Sequence, residues 1–367
     1  MITVSDDLSE AIQRGGFQRY FVADVIVDGE RVLSDLRLSA CELVSDGTAK
    51  IRNQGTVTVE YSDELGRSVV PADLDDWFTP YATSLNISMV IKNSDLEEKV
   101  LRGTYLIRSV GSPKSSSATI GGKFYTIGSR IELRLADAFR RVQRERFSGP
   151  LSPTGANAWD ELGLLTGLPL ARNVADVAIP RTITYESDRL DAVHTIGRLL
   201  EGTPYLDPNN RLTIESDTWG SETEAFAMGE SGTITQLTPD DMTDEGVYNQ
   251  VVVRSHDDDQ VRVLATAELT TGPLRYGGQF GRVPFFASSE WITTEVDAQA
   301  YADAQLPLVS TQPAVPYSIQ AIVDPRREVG DVVPFTTEDG TALVGRIQKL
   351  TLADSGPMTA QVLVNRD

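Results

Sequence analysis

Cysteine and histidine are almost missing from this chain: among 367 residues there is one Cys, Cys41, and there are two His, His194 and His256. A lone cysteine closes no internal disulfide. A four-ligand zinc site asks for more Cys and His than these, and the two histidines lie 62 positions apart. Cys41 falls in LRLSACELV, an alternating apolar and polar stretch, and reads as a small buried strand residue rather than a nucleophile. Long apolar runs are missing too. No stretch of about 18 apolar residues occurs, so nothing is expected to span a bilayer. The opening MITVSDDLSEAIQRGG lacks a basic segment followed by an apolar core. No secretory signal is therefore expected, and the chain is expected to be made and held in a cytoplasm. Enzyme signatures are equally scarce: there is no G-x-x-x-x-G-K-[ST], no G-x-G-x-x-G between a strand and a helix, no G-x-S-x-G and no H-E-x-x-H.

Basic charge is the next shortage. Lys and Arg number 33 against 53 Asp and Glu, a net charge of −20. The imbalance is local: residues 1–150 hold 21 acids against 19 bases, 151–246 hold 17 against 5, and 247–367 hold 15 against 9. The middle segment thus carries −12 of the −20. Such a surface repels phosphate backbones, which argues against gripping nucleic acid but is compatible with letting it slide past. A solvated acidic face that maintains solubility accounts for the same count.

What is present is strand pattern. Hydrophobic residues at 40 % and charged residues at 23 % give a globular balance, and 367 residues exceed the usual single domain. Over the first 135 residues β-branched and aromatic residues alternate with polar ones between turn residues. Phe21 to Val27, Asp28-Gly29 and Arg31 to Ser39 predict a tight hairpin. More strands are predicted at 56–61, 84–91, 100–110 and 123–135, and the Ser- and Gly-rich GSPKSSSATIGG, 111–122, as a flexible loop serving as a contact arm. Helices are predicted at 156–166, with Trp159 and Leu162 on one side, and at 188–201, capped by Asp188 and stopped by Gly202. His194 adjoins the apolar face of the second helix and reads as a packed residue, since no partner ligand stands four positions away. YLDPNNRLTIE, 205–215, predicts a hairpin, 235–246 a polar linker, and 247–254 and 261–268 strands. The alanine-rich 294–305 predicts a helix begun by Thr294 and Asp297 and ended by Pro307. Strands follow at 317–323, 331–336, 342–352 and 358–364.

Candidates for chemistry are thin. The cluster of Asp73, Asp75 and Asp76 with Trp77 is the best candidate for glycoside cleavage, yet a loop or helix start explains it more simply. His256-Asp257-Asp258-Asp259 offers hard oxygen ligands for Ca²⁺ or Mg²⁺ but lacks the Gly and terminal Glu of an EF-hand, and a polar turn is needed there anyway. Arg140, Arg141, Arg144 and Arg146 suit a phosphate or an acidic partner, or simply a solvated helix end. No catalytic, cofactor-binding or metal-binding residue is assigned, no cofactor is expected, and the chain is expected not to be an enzyme.

The order of segments in the last third adds a resemblance. VYNQVVVR, the alanine-rich helix, PYSIQAIVDPRREVGDVVPF and GRIQKLTL resemble the C-terminal half of the hub proteins of tailed bacteriophages, with Asn249, Val251 to Val253, Pro325, Gly330, Asp331 and Val333 at the motif positions. RTITYESDRLDAVHTIGRLLEGTPYLDPNNRLTI is similar to that family's α/β subdomain, and the N-terminal block resembles the first barrel of minor tail proteins from siphophages of actinobacterial hosts. The resemblance implies a mainly β fold with α+β insertions, built as tandem β-barrel-like domains plus smaller α/β subdomains. Residues 1–150 would form a first barrel-like domain with an N-terminal arm, 151–246 an acidic α/β subdomain, and 247–367 a second barrel-like domain with a helical insertion at about 269–312.

By the same resemblance the chain is expected to be a structural hub subunit of a virion tail tip, assembled in the host cytoplasm. It would join tube to tip and line the channel for genome ejection, as a homo-oligomer, a trimer by preference. Its partners would be the distal tail or tube protein, the tape-measure protein and other tip proteins, with DNA passing transiently and unbound. The alternative is a carbohydrate- or receptor-binding β protein using Trp77, Tyr81, Trp159, Trp219 and Trp291 as stacking platforms. The hub of a contractile injection system or gene-transfer particle would share the architecture.

Overall fold

A computed structural model describes residues 1–61, 70–120, 123–180, 183–229, 232–239, 246–254, 262–288, 294–310 and 315–364. The chain divides into a large unit, Met1–Thr238 with Tyr317–Val364, and a small one, Pro239–Pro316. It is mainly β, with 46 % strand and 16 % helix.

The large unit opens with α1 (Asp6–Arg14), an element the sequence reading did not place. Ser5 accepts the Leu8 amide at 3.1 Å, Asp6 and Asp7 suit the positive helix start, and Leu8, Ala11 and Ile12 are buried. Strands β1 (Gln18–Val27) and β2 (Glu30–Arg37) form the expected hairpin, with Asp28 and Gly29 both at positive φ, 49° and 85°. Strands β3 (Ala40–Asp46), β4 (Asn53–Tyr61) and β5 (Thr83–Lys92) come next. The long β6 (Glu97–Ile120) and β7 (Lys123–Asp137) then pair with each other. Helices α2 (Phe139–Arg144), α3 (Ala158–Thr166) and α4 (Arg189–Leu199) precede the hairpin of β8 (Gly202–Leu206) and β9 (Leu212–Ser216), and β10 (Ile234–Pro239) leads to the small unit. The chain returns through β14 (Val315–Ala321), β15 (Val332–Thr336), β16 (Ala342–Ala353) and β17 (Met358–Val364); β11 to β13 and α5 lie between and are given below.

Twelve strands form one sheet in the order β10-β14-β17-β16-β3-β4-β7-β6-β5-β1-β2, with β15 paired to β16. The join is β16 against β3, antiparallel from Lys349↔Asp46 to Ala353↔Glu42. One core runs beneath both halves: Cys41, Leu43, Val57, Leu133 and Ile107 share it with Ile347, Leu350, Met358 and Val362. Burying each such Val, Leu or Ile contributes about 1.5–3 kcal/mol. Among the described residues no closed barrel is found, and the strands of the two expected barrel-like blocks lie in one sheet. The physical reason is that strand pattern fixes which residues pair but not with what, and here the first and last strand blocks share a ladder.

A second core lies under α2, α3, α4 and the β8–β9 hairpin, with Trp159, Leu162, Leu190, Val193 and Ile196 fully buried. Asp188 caps α4 through the Asp191 amide at 3.1 Å. Gly197 is required by close approach, since a Cβ there would come within 2.4 Å of Pro204. Glu161 is buried and accepts from Thr154 N, Gly155 N and the Tyr185 hydroxyl at 3.0, 2.6 and 3.0 Å, which offsets the cost of its burial.

The small unit holds β11 (Gln250–Arg254), β12 (Val263–Glu268), β13 (Pro284–Ser288) and α5 (Glu295–Ser310). Its sheet order is β12-β11-β13, with β11 parallel to β13. Ala298 and Ala302 let α5 sit close over Val251 and Val253. Thr294 accepts the Asp297 amide at 3.1 Å, as the spacing predicted.

Three local expectations are corrected. Residues 111–120 are strand, not loop, because a β ladder needs only backbone groups and the Ser-rich run finds a partner in β7. The first part of the expected linker, 235–239, belongs to an edge strand, β10, held to β14. Helix α5 runs through Pro307 to Ser310 because Leu306 and Val309 pack on the small core and Ser310 Oγ donates to the Leu306 carbonyl at 2.6 Å.

Candidate functional site

A buried polar cluster lies in the turn between β14 and β15, where the motif residues Pro325, Gly330 and Asp331 fall. Asp324, Arg326, Arg327 and Asp331 are all buried there. Arg326 uses both edges of its guanidinium. Nε and Nη2 reach the two Asp324 oxygens at 2.9 and 3.0 Å, and Nη1 and Nη2 reach Glu224 at 3.0 and 2.6 Å. Burial works against the Arg326 charge, yet the bonds to Asp324 and Glu224 outweigh it and raise its pKa further. Arg327 lies 4.7 Å over the Phe226 ring with Nε 3.2 Å from Asp324, and burial lowers its pKa. From β6, Arg102 donates to the carbonyls of Pro325 and Arg327. The Arg326 carbonyl accepts the Ile2 amide at 2.7 Å, and Asp331 accepts the Met1 ammonium at 2.5 Å. Desolvation opposes that ammonium, but Asp331 and Glu328 keep its pKa raised.

Next to it, Glu215 of β9 joins Arg52 and Arg346, the latter at 2.5 Å, while Arg52 lies 4.2 Å over the Tyr205 ring. Burial, then the Glu328 charge, pushes the Tyr205 phenol up to about 12. Gly330, at φ +96°, carries the chain past Glu215; a Cβ there would meet its carboxyl at 3.0 Å. A cleft of about 360 Å³ opens beside the turn, lined by Ile12, Phe226, Ile322, Asp324 and Arg326. Each buried carboxylate in this knot is held by a cation or a backbone amide. The arrangement is chemically a clamp: it ties the N-terminal helix, β6, the 223–226 segment and the closing strands to one turn.

Asn249 plays the corresponding part in the small unit. It is fully buried, donates to the Leu274 and Gly281 carbonyls at 3.1 and 3.0 Å, and accepts the Val283 amide at 2.9 Å. Its side chain pins the 269–283 excursion to the start of β11.

The sequence candidates scatter. Cys41 is buried in β3, and desolvation pushes its thiol pKa up. Asp76 accepts the Ala72 and Asp73 amides at 2.7 and 2.9 Å, which lowers its pKa, so it caps its own turn while Asp73 and Asp75 face solvent. His194 is half-buried, touches the Lys50 carbonyl at 3.1 Å and sets its ring edge-on to Phe139 at 6.3 Å. Burial lowers its pKa. The 256–259 run and Trp291 lie outside the described residues. Among the described residues no group of three or more His, Cys, Asp or Glu is placed to hold a metal ion, and no helix is long and apolar enough to cross a membrane. Trp159 is fully buried with Nε1 on the Val174 carbonyl at 3.1 Å, so it is no stacking platform, whereas Trp77 and Tyr81 are exposed.

Two surface features stand out beyond these. Past Ser129 the β6–β7 pair continues as a two-stranded ribbon from Ser116↔Gly128 to Ile120↔Lys123, beyond the last β4 partner, Tyr61↔Ser129. The expected contact arm is thus a ladder rather than a loop. On helix α2, Arg144 Nη1 lies 3.5 Å from the Pro80 carbonyl, in a 74–81 loop that exposes Leu74, Trp77 and Tyr81 and buries Phe78 and Thr79. Arg141 instead faces Glu145 at 4.0 Å.

No protein-family model matches the chain, and no curated protein matches it. Solved structures do. The tail protein from Neisseria meningitidis MC58 aligns with a TM-score of 0.62 at 12 % identity, over 94 % of this chain and 97 % of that one. The 43 kDa tail protein of prophage MuSo2 from Shewanella oneidensis aligns at 0.55 and 10 % identity, over 95 % and 98 %. A chain of the Francisella PdpA-VgrG complex aligns at 0.55 and 8 % identity, over 98 % of this chain and 55 % of that one. Likeness at such identities is likeness of fold, and it extends end to end along both tail proteins: the chain is built on the fold of phage tail proteins.

Proposed function

We propose that the chain is a structural hub subunit of a phage tail tip, joining the tail tube to the tip complex and lining the channel through which the genome leaves. The observation that carries this reading is the end-to-end match with a tail protein, 94 % of one chain on 97 % of the other. The buried charges support it, because they are spent on holding segments together and leave no free acid–base pair at the clamp. In this reading the chain is a homo-oligomer, a trimer, and is not an enzyme. Segments 1–150, 151–246 and 247–367 serve as its modules. The β1–β7 and β14–β17 halves of the sheet act as two quasi-equivalent surfaces, so that three subunits offer six to a hexameric tube. Its partners are the distal tail or tube protein, the tape-measure protein and other tip proteins, and the acidic excess keeps passing DNA from sticking.

Gold labelling of this chain in its parent particle tests the reading. Label at the tail end far from the capsid is expected; label on the capsid, or a particle without the chain, overturns it.

A further inference from the structure

Arg326 and Arg327 are neighbours in one buried turn, yet only the first is fully engaged. Arg326 meets the carboxylates of Asp324 and Glu224 through four bonds. Arg327 is as deeply buried, at 3 % exposed, but among the described residues its side chain makes one hydrogen bond, from Nη1 to the Thr223 hydroxyl at 3.2 Å. Its Nε lies 3.2 Å from an Asp324 oxygen without the alignment to bond it, and Nη2 has no partner among the described residues. Desolvation lowers the Arg327 pKa against the pull of Asp324 and Asp331, whereas that of Arg326 is raised. The cation short of compensating charge is therefore Arg327.

Arg327 lines the cleft of about 360 Å³ beside the turn. So does Thr233, whose carbonyl is held by the Ile322 amide at 2.8 Å and whose hydroxyl is buried without a hydrogen-bond partner. Buried polar groups in folded proteins nearly always have partners, and two orphans lining one cleft point to an acceptor that enters from outside.

Ile12, Phe226 and Ile322 give the same cleft apolar lining. Its volume falls in the ordinary range of small-ligand pockets, about 300–1,000 Å³. Charge narrows the ligand further. Glu224 and Asp324 also line the cleft and equal Arg326 and Arg327 in number, so one added negative charge satisfies Arg327 while a dianion is repelled by the two acids.

We infer that this cleft binds a single carboxylate carried on an apolar body, with the carboxylate on Arg327 and Thr233 and the body against Phe226 and Ile322. The ligand is a free apolar acid or the C-terminal residue of a peptide, since both offer the same groups. The site lies within the large unit and has no part in the tube-to-tip role proposed above, so its test does not depend on that reading.

Calorimetric titration of the purified full chain tests it. N-acetylleucine should bind saturably, and its amide, which keeps the body and loses the charge, about tenfold more weakly or worse. Thr233→Val removes only an unpartnered hydroxyl, so it should leave the melting temperature in place and weaken N-acetylleucine about threefold. Arg327→Gln should abolish the preference for acid over amide. A tripeptide ending in leucine, with its end free or amidated, separates the two sources. Tighter binding of the free-ended peptide than of N-acetylleucine assigns the site to a chain end, and equal or weaker binding assigns it to a free acid. Equal binding of acid and amide by the wild-type chain overturns the proposal, whether or not the Arg327 variant folds. So does an absence of saturable binding at millimolar acid, or binding that Thr233→Val and Arg327→Gln leave unchanged. Inorganic phosphate binding as tightly as N-acetylleucine also overturns it, leaving an anion site with no apolar part.

Discussion

The two units secure their chain by different means. The large unit has a continuous apolar core under a twelve-stranded sheet and adds a buried ionic clamp at the 324–331 turn. The small unit has three strands, a helix that contributes only alanines to the fully buried layer, and a single fully satisfied Asn249. A wide core tolerates the loss of a contact that a small one does not, but buried charge is unforgiving in either. The clamp should therefore be the more costly place to cut, and the cost should stay within its own unit.

Arg326→Ala sets the largest expected effect. It leaves buried Asp324 with Arg327 alone and takes the buried cation from exposed Glu224, and removing one partner of a buried pair costs up to about 3–5 kcal/mol. Urea unfolding of the large unit should shift by that much while amide exchange in 262–288 is unchanged; equal loosening of both units would break the comparison. Asn249→Ala follows, at about 1–3 kcal/mol, because the Val283 amide and two carbonyls lose their partner. Hydrogen exchange at 269–283 should quicken with the large sheet undisturbed.

A pH effect comes third. Burial raises the Asp137 carboxyl to about 6 against the bonds from the Asn53 and Phe139 amides. For an acid whose folded pKa lies above its unfolded one, the native state binds the proton more tightly, so this group opposes folding above pH 6 and the opposition fades as pH falls toward 4. Between pH 7 and 5 it should return about 1 kcal/mol to the large unit. Asp137→Asn should remove that slope, and an unchanged slope would assign it elsewhere. The smallest effect is expected from replacing 116–128 by a tight turn. The ribbon lies beyond the sheet, so stability should change by less than about 0.5 kcal/mol.

Much of the strand pattern was legible because it is local. Asp28-Gly29, Asp188 before α4, and Thr294 with Asp297 each act within four residues, and each appears where the sequence placed it. What was not legible depends on partners far along the chain. Gly111 to Ile120 has no strand composition and becomes strand by pairing with β7; Pro307 stays helical because Leu306 and Val309 have a core to meet. Helix α1 was missed although Ser5, Asp6 and Asp7 are a start signal, since nine residues with three apolar contacts give little periodicity. The clamp was visible only as the string DPRREVGD: that two arginines in it would be buried follows from Glu224, about a hundred positions away. Asn249 was singled out by resemblance, and its three side-chain bonds explain why an asparagine stands there.

The junction of β3 with β16 has a consequence in time. Asp46 and Lys349 stand opposite each other across about 300 residues of chain. At translation rates of roughly 5–20 residues per second, β3 leaves the ribosome some 15 to 60 seconds before its neighbour exists. For that interval one edge of the β1–β7 ladder is open, and an open edge accepts any strand that reaches it. Folding of the large unit is therefore largely post-translational, slowed by the long loop that must close. A nascent chain of this protein should need shielding, by a chaperone or by dilution, until its last strands arrive.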